Sequence, residues 1–413
     1  MSVRKRQWTT GKGEARESWV VDYVDRAGKR RLKTFKRKKE ADAYSATARV
    51  EVREGTHVAD SASATVGQAG ALWLARATAE GLERATIESY RQQLAYHIEP
   101  FIGSSRLSQI SAPSLRAFEE RLRQEGRSPS MIRRVMQTVG SILADAQERG
   151  LVVRNAAREL RARRKGKDRK SEKRQKGRLK LGVDMPTPTE IRAIVEHAQG
   201  RWRPLLITAI FTGLHASELR GLRWADLDLE GRLLHVRQRA DRFNEIGHPK
   251  SEAGERSIPL PPIVIAELRA WQPICPKGEA GLVFPAGSGK VEGLTNIVMR
   301  GLKPVQLAAG VTVPVLDSAG KPKLDPDGKP MVRAKYSGFH ALRHFFASWC
   351  INRRADLGLE LPPKVVQERM GHASIVMTMD TYGHLFPRGD DHAELEAAEL
   401  ALLGGGLRGS GPV

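Results

Sequence analysis

The chain has 413 residues, enough for two to four domains with cores of their own. Lys and Arg outnumber Asp and Glu by 69 to 47, a formal charge of +22, and a surplus of that size concerns partners rather than fold; it points to a polyanion, nucleic acid first. No apolar run approaches the ~20 residues that span a bilayer, and Arg4, Lys5 and Arg6 lead into polar sequence rather than a signal-peptide core. The two cysteines, Cys275 and Cys350, lack metal-ligand spacing and suit packing positions in a reducing cytosol. No metal or other cofactor is expected.

In chain order, Trp19 to Val24 predicts a strand, Asp25-Arg26-Ala27-Gly28 a turn, and Lys29 to Phe35 a returning strand. Lys38 to Arg53 predicts a helix ended by Gly55. Residues 1–55 thus make a small basic sheet-plus-helix unit. Its interleaved Trp8, Trp19, Tyr23 and Phe35 favour DNA contact over a merely solvated face. An Ala/Ser/Thr-rich linker over 56–66 follows. Leu72, Trp73, Leu82, Ile87, Tyr90, Leu94, Ile98 and Phe101 then fall near helical spacing, and Ser128-Pro129-Ser130 opens a helix carrying Ile132, Val135, Val139, Ile142 and Leu143. Residues 65–160 are therefore expected as an all-α bundle of four or five helices. Its Arg121, Arg123, Arg127, Arg133 and Arg134 are expected to face DNA backbone.

Residues 161–186 are expected as a basic linker, dense in Lys and Arg and too poor in apolar residues to fold alone. Thr187-Pro188-Thr189-Glu190 forms a capping box that opens the last large domain, 187–390. That domain is expected to be mixed and mainly α, with a hairpin region from Leu233–Arg237 and Ser257–Leu260. Residues 311–337 hold a short near-repeat, with Asp-x-x-Gly turns at Asp317 and Asp325, expected as an inserted hairpin or loop. The tail, 391–413, places Asp391, Glu394, Glu396 and Glu399 among Ala and Leu, an amphipathic helix with a Gly-rich end. The fold class is multidomain α+β.

Three strings carry chemistry. The first is Thr212-Gly213-Leu214-His215-Ala216-Ser217-Glu218-Leu219, continued by Trp224-Ala225-Asp226. The second is His340-Ala341-Leu342-Arg343-His344. The third is Gly371-His372, with Tyr382-Gly383-His384 ten residues on. Lys250 precedes Arg256-Ser257-Ile258-Pro259-Leu260 on a turn framed by Pro249 and Gly254. Attack on a phosphodiester builds charge on nonbridging oxygens, which fixed cations must meet, and arginine does so through bidentate hydrogen bonds. His340 and Arg343 share one face of a helix; His344 shares it too, with a capping or packing role equally open.

These strings together resemble the tyrosine recombinases of the phage-integrase family. The resemblance covers all three segments in the family's phage-type order: arm-type DNA-binding domain, helical core-binding domain, catalytic domain. It implies that Tyr382 attacks DNA to give a 3′-phosphotyrosyl intermediate, which conserves the energy of the broken phosphodiester. It implies Arg343 as a phosphate ligand, and His340 as a phosphate ligand that assists proton transfer. Lys250 would protonate the leaving 5′ oxygen, His372 would hydrogen-bond the phosphate, and Glu218 would be structural support. His215 stands where the family has its first catalytic arginine. Imidazole, with an unperturbed pKa near ~6.5, lacks the bidentate fork. Arg220 and Arg223 sit at the wrong offset to replace it and are expected on a helix surface or against DNA backbone. The implied activity is site-specific recombination that integrates or excises a mobile element. It would be carried out on double-stranded DNA by four subunits on two duplexes, with accessory DNA-bending or excision factors, in a bacterial or phage-encoded protein working at the nucleoid in the cytoplasm. Two other readings remain: a catalytically impaired DNA-binding relative, favoured by His215, and a type IB topoisomerase, disfavoured by the arm-type domain.

Overall fold

The computed structural model describes residues 1–9, 11, 14–25, 28–53, 63–163, 178–387 and 391–403. The chain divides into two compact units, 1–176 and 177–413.

The first unit opens with an antiparallel sheet, β1 (Ser2–Thr9), β2 (Ala15–Val24) and β3 (Arg30–Phe35), in the order β1-β2-β3. Trp19 pairs with Lys5 on one side and Phe35 on the other. β2 and β3 match the predicted strands. β1 was not anticipated, because its residues are exposed except for a half-buried Val3 and show no apolar alternation to reveal a strand. The helix Lys38–Arg53 covers the sheet, with Val21, Tyr23 and Ala41 in a small core. The expected stop at Gly55 lies outside the described residues.

Helices Val66–Ala79, Arg84–Gln93, Ala112–Gln124, Pro129–Glu148 and Ala156–Arg163 form the all-α part of this unit. They share a core that includes Trp73, Leu94, Ile98, Leu115, Phe118 and Ile142. Ser128 caps the Pro129 helix as predicted, its Oγ accepting from the Met131 N–H. Leu72 and Leu82 are exposed, against expectation. The buried stripe of the first helix is Val66, Ala69, Gly70, Trp73 and Ala77, and Leu72 lies one step off it. Of the arginines expected to face DNA, Arg121 lies over the Phe101 ring, 5.0 Å from its centroid, and Arg123 pairs with Glu119 and Glu120 at 2.6 and 3.0 Å.

In the second unit order begins earlier than predicted. Residues 178–186, assigned above to the linker, pack onto the large domain. Met185 is fully buried and its carbonyl accepts from the Tyr336 hydroxyl at 3.2 Å, while the Leu179 carbonyl lies 2.9 Å from His384 Nε2. The isolated apolar residues Leu179, Leu181 and Met185 show no period to reveal this strap; residues 164–177 of the linker lie outside the described set. The predicted capping box is present, with Thr187 and Glu190 exchanging hydrogen bonds of 3.1 and 2.9 Å. Glu190 also pairs with Lys335 at 2.6 Å and accepts from Tyr336 at 2.8 Å.

Helices Trp202–Thr212, Pro262–Trp271 and Phe339–Ile351 build the core through Leu206, Ile210, Leu268 and Phe346. Beside them β4 (Leu227–Asp228), β5 (Leu233–Val236) and β8 (Arg256–Pro259) form a sheet in that order, with Leu234 opposite Ile258 as the hairpin reading requires. β6 (Arg239–Ala240) and β7 (Ile246–Gly247) make a ribbon within the excursion from β5 to β8. In the insertion, β9 (Thr312–Pro314) pairs with β10 (Val332–Ala334), and Asp317 and Asp325 each cap a turn through Oδ1. The tail helix, Asp391–Leu403, forms, but it is not amphipathic as expected: its apolar residues are not gathered on one face, and Leu395, Leu400, Leu402 and Leu403 are all exposed; its Gly-rich end lies outside the described residues. Among the described residues no helix is long and apolar enough to cross a membrane.

Two buried arginines tie these pieces together. Arg220, expected on a surface, is instead 2% exposed. It donates to the carbonyls of Glu292 (2.7 Å) and Asp241 (2.9 Å) and to Asn244 Oδ1, pinning the β6–β7 ribbon. Arg223 binds Asp226 through two bonds of 2.9 and 3.0 Å. Arg256, at the start of β8, meets Glu218 through two bonds of 2.9 Å and donates to the Arg369 carbonyl at 2.9 Å. Both partners of that ion pair are more than nine-tenths buried. Breaking such a pair leaves a charge unmet in the interior. Arg256→Ala should therefore lower the stability of this unit by about 3–5 kcal/mol, and Arg256→Met with Glu218→Leu should recover much of the loss. Urea unfolding of the single and double variants checks both.

Candidate active site

The helix Trp202–Thr212 ends at Gly213, whose φ of 61° is left-handed. Glycine is required there twice over, because a Cβ would lie 2.2 Å from Phe346 Cδ1. The chain then turns through Leu214 and restarts as the short helix Ala216–Gly221, with His215 at its N-cap; the His215 N–H donates to Glu218 Oε2 at 2.8 Å. Glu218 is thus fixed by Arg256 and in turn fixes the backbone of His215, consistent with the supporting role expected of it.

Arg343 comes from the helix Phe339–Ile351 and is 4% exposed. Its Nη1 donates to the Gly213 carbonyl at 2.5 Å and its Nη2 to the Met370 carbonyl. A single guanidinium therefore joins the turn before His215 to the end of the helix Pro363–Met370, where Gly371 (φ 65°) leads into His372. His372 is held at three points, its own N–H donating to the Gln367 carbonyl at 3.1 Å. Its Nδ1 lies 2.9 Å from Thr378 Oγ1, and its carbonyl accepts from Gln367 Nε2 at 2.9 Å.

Tyr382 ends the helix Ile375–Tyr382, which Ser374 caps. The tyrosine is 2% exposed. Its ring lies parallel to the His372 ring, 6.2 Å between centroids and 6° between planes. Its hydroxyl lies 2.7 Å from His344 Nδ1. The rings of His215, His340, His344 and Tyr382 follow one another at centroid distances of 6.0, 5.7 and 5.7 Å. His340 is exposed and carries this chain of rings to the surface.

Burial dominates the electrostatics. It pushes the Tyr382 phenol up to about 12, with Arg343 opposing. It brings Arg343 down to about 10 and holds His215, His344 and His372 near 4, with the positive charge of Arg343 adding to the effect on all three imidazoles. Without a bound anion these imidazoles are neutral at pH 7. Among the described residues no group of three or more His, Cys, Asp or Glu is placed to hold a metal ion.

Five of the six predicted site residues, His215, His340, Arg343, His372 and Tyr382, converge. Lys250 does not join them. It is exposed on the loop after β7, and among the described residues no hydrogen bond or ion pair links it to the cluster. His344 received a capping or packing role equal in weight to a functional one, yet it is the residue hydrogen-bonded to Tyr382. Its position one residue after Arg343 and four after His340 was the available signal. Thr378, which orients His372, carried none.

The phage integrase family matches residues 186–388, and the phage integrase central domain matches residues 66–163. A XerC-like tyrosine recombinase from Caldanaerobacter subterraneus subsp. tengcongensis is 24% identical over 392 residues, 88% of this chain and 90% of that protein. The transposase of transposon Tn916 from Enterococcus faecalis is 29% identical over 196 residues, 43% of this chain and 41% of the transposase. Among solved structures, the Tn1549 transposon integrase in complex with circular intermediate DNA superposes with a TM-score of 0.59 at 19% identity, over 82% of this chain and 100% of that one. A lambda integrase tetramer bound to a Holliday junction gives 0.53 at 16% identity, over 93% and 96%. The chain belongs to the phage integrase family of tyrosine recombinases.

Proposed function

We propose that the protein is a site-specific DNA recombinase in which Tyr382 breaks and rejoins strands through a 3′-phosphotyrosyl bond, integrating or excising a mobile element. The observation that carries this is the convergence, on one buried phenol, of residues from three separated strings. Arg343 and His372 flank the tyrosine, and His215 and His340 continue the array toward the surface. Arg343 supplies permanent charge for the nonbridging oxygens. His372, His340 and His215 supply hydrogen-bond donors, and a phosphate beside them favours their protonated forms. Lys250, on an exposed loop, would swing onto the leaving 5′ oxygen as its acid, a role suited to a flexible ammonium. The arm-type segment 1–55 and the helical segment 65–160 would hold double-stranded DNA. By likeness to the lambda integrase tetramer on a Holliday junction, four subunits would act on two duplexes.

The test of the nucleophile is covalent trapping on a nicked suicide substrate taken from DNA flanking the gene. The unsubstituted protein should form an adduct, and Tyr382→Phe should form none while binding DNA with nearly unchanged affinity. An adduct that persists in this variant, mapped to another tyrosine, would refute the assignment.

His215 faces Arg343, Arg256, His340 and Glu218. His215→Arg should raise single-turnover cleavage by up to ~10²–10³ if it restores a full transition-state contact. Arginine stays charged across the range, whereas imidazole gains charge as pH falls. The unsubstituted protein should therefore cleave faster at pH 6 than at pH 8 at matched DNA occupancy, and His215→Arg should flatten that difference.

Stability should move the other way in the DNA-free protein. Three imidazoles titrate near 4 when folded and near ~6.5 when unfolded. Between those values the unfolded chain binds more protons, so stability is intact above about 6.5 and is lost progressively as pH falls toward 4. Denaturation midpoints at pH 7 and pH 5 measure the loss, and His215→Arg should remove the part that belongs to His215.

A further inference from the structure

Tyr382 must lose a proton to attack, and its surroundings offer few acceptors. At 2% exposure it is almost wholly removed from bulk water. Arg343 carries no lone pair to receive a proton. The His372 ring runs parallel to the phenol ring with 6.2 Å between centroids, its Nδ1 is engaged by Thr378, and among the described residues it makes no hydrogen bond to the Tyr382 hydroxyl. Among the described residues His340 makes no hydrogen bond to the tyrosine; its ring stands beyond that of His344, edge-on at 5.7 Å. Among the described residues His344 Nδ1 alone lies at hydrogen-bond distance, 2.7 Å, from the hydroxyl.

We infer that His344, and not His340, is the general base for Tyr382, and that His340 serves the phosphate and the solvent edge of the site. This rests on the function proposed above and assigns a residue within it. In the tautomer with hydrogen on Nε2, Nδ1 accepts the phenol hydrogen bond. As Oη attacks, the Oη–H bond breaks and the proton passes to Nδ1, giving an imidazolium. The Oη–P bond forms, the P–O5′ bond breaks, and O5′ takes its proton from Lys250. In rejoining, the 5′-hydroxyl attacks phosphorus and passes its proton back to the neutral Lys250 amine, the O5′–P bond forms, the Oη–P bond breaks, and the imidazolium returns its proton to Oη. The imidazolium stands beside Arg343 and His340 in a buried site, so it returns that proton readily, and the covalent intermediate is kept reversible.

The experiment uses the full chain on the suicide substrate, with His344→Gln, His344→Phe and His340→Gln, each with tyrosine or a difluorotyrosine at position 382. Glutamine keeps a hydrogen-bond acceptor but cannot take the proton, and phenylalanine keeps the bulk. DNA binding confirms that each variant is folded, and should one histidine variant fail to fold, the other carries the test. Both His344 variants should cleave slower by about 10²–10⁴, the usual contribution of a general base. Difluorotyrosine, whose phenol ionises more easily, should restore at least about tenfold of that loss, and His340→Gln should gain no comparable benefit; tenfold corresponds to about 1.4 kcal/mol. Unimpaired cleavage by His344→Gln, or an equal fluorotyrosine gain in the His340 variant, would overturn the inference while leaving Tyr382 as nucleophile. Absence of any adduct from the unsubstituted chain would overturn both.

Discussion

The arrangement around Tyr382 depends on the burial of one guanidinium. Arg343 is almost wholly removed from water, and a buried charge is tolerated only where its donors are met. Two carbonyls meet them, that of Gly213 before His215 and that of Met370 before His372. Both carbonyls sit at helix ends closed by a left-handed glycine, where the last carbonyls lack partners within the helix and point outward. The arginine thus satisfies helix ends that would otherwise be unpaired, and the helix ends hold the arginine. One contact therefore sets the spacing of the three chemical strings.

A second buried arginine works beneath the first. Arg256 binds Glu218 and the Arg369 carbonyl, and Glu218 binds the backbone of His215. The strand β8 is thereby locked to the helix that carries His215 and to the helix that ends beside His372. Lys250 lies only six residues before Arg256 yet is exposed. The division suits the proposed function: ligands for a phosphate would need fixed positions, whereas an acid that must follow a leaving oxygen would gain from a mobile stem.

The histidines give the site an electrostatic character of its own. With arginine at position 215, permanent charge would fill the centre whether or not DNA is present. With imidazoles at 215, 344 and 372, burial keeps most of the cluster neutral. Arg343 stays the standing charge of the cluster, and on the proposed function the imidazoles would gain theirs only beside a bound phosphate, while a neutral His344 would remain a proton acceptor.

Much of this was legible in the residues. Capping at Thr187 and Ser128, the β2–β3 hairpin, the Lys38–Arg53 helix and the β5–β8 pairing all rest on local rules of turn, cap and period that act within a few residues. The strings around His215, Arg343 and Tyr382 were recognisable by their resemblance to the phage-integrase family, with His215 standing where that family has arginine. What the residues could not tell was direction and partnership. The exposed edge strand β1 and the strap at 178–186 have no period to announce them. Arg220 and Arg343 are both arginines on helices, each preceded by a leucine, yet one pins a ribbon and the other ties the ends of two helices together. His340 and His344 lie on one helix face, and only the packing of the Tyr382 helix against them decides that the phenol meets His344. Sequence determined the fold class and the cast of reactive groups, because patterning and residue type are local properties. Tertiary structure decided which arginines are struts and which histidine touches Tyr382, because those choices depend on contacts between segments distant in sequence: 130 residues for Arg343 and Gly213, 113 for Arg256 and Arg369, 72 for Arg220 and Glu292, and 38 for His344 and Tyr382.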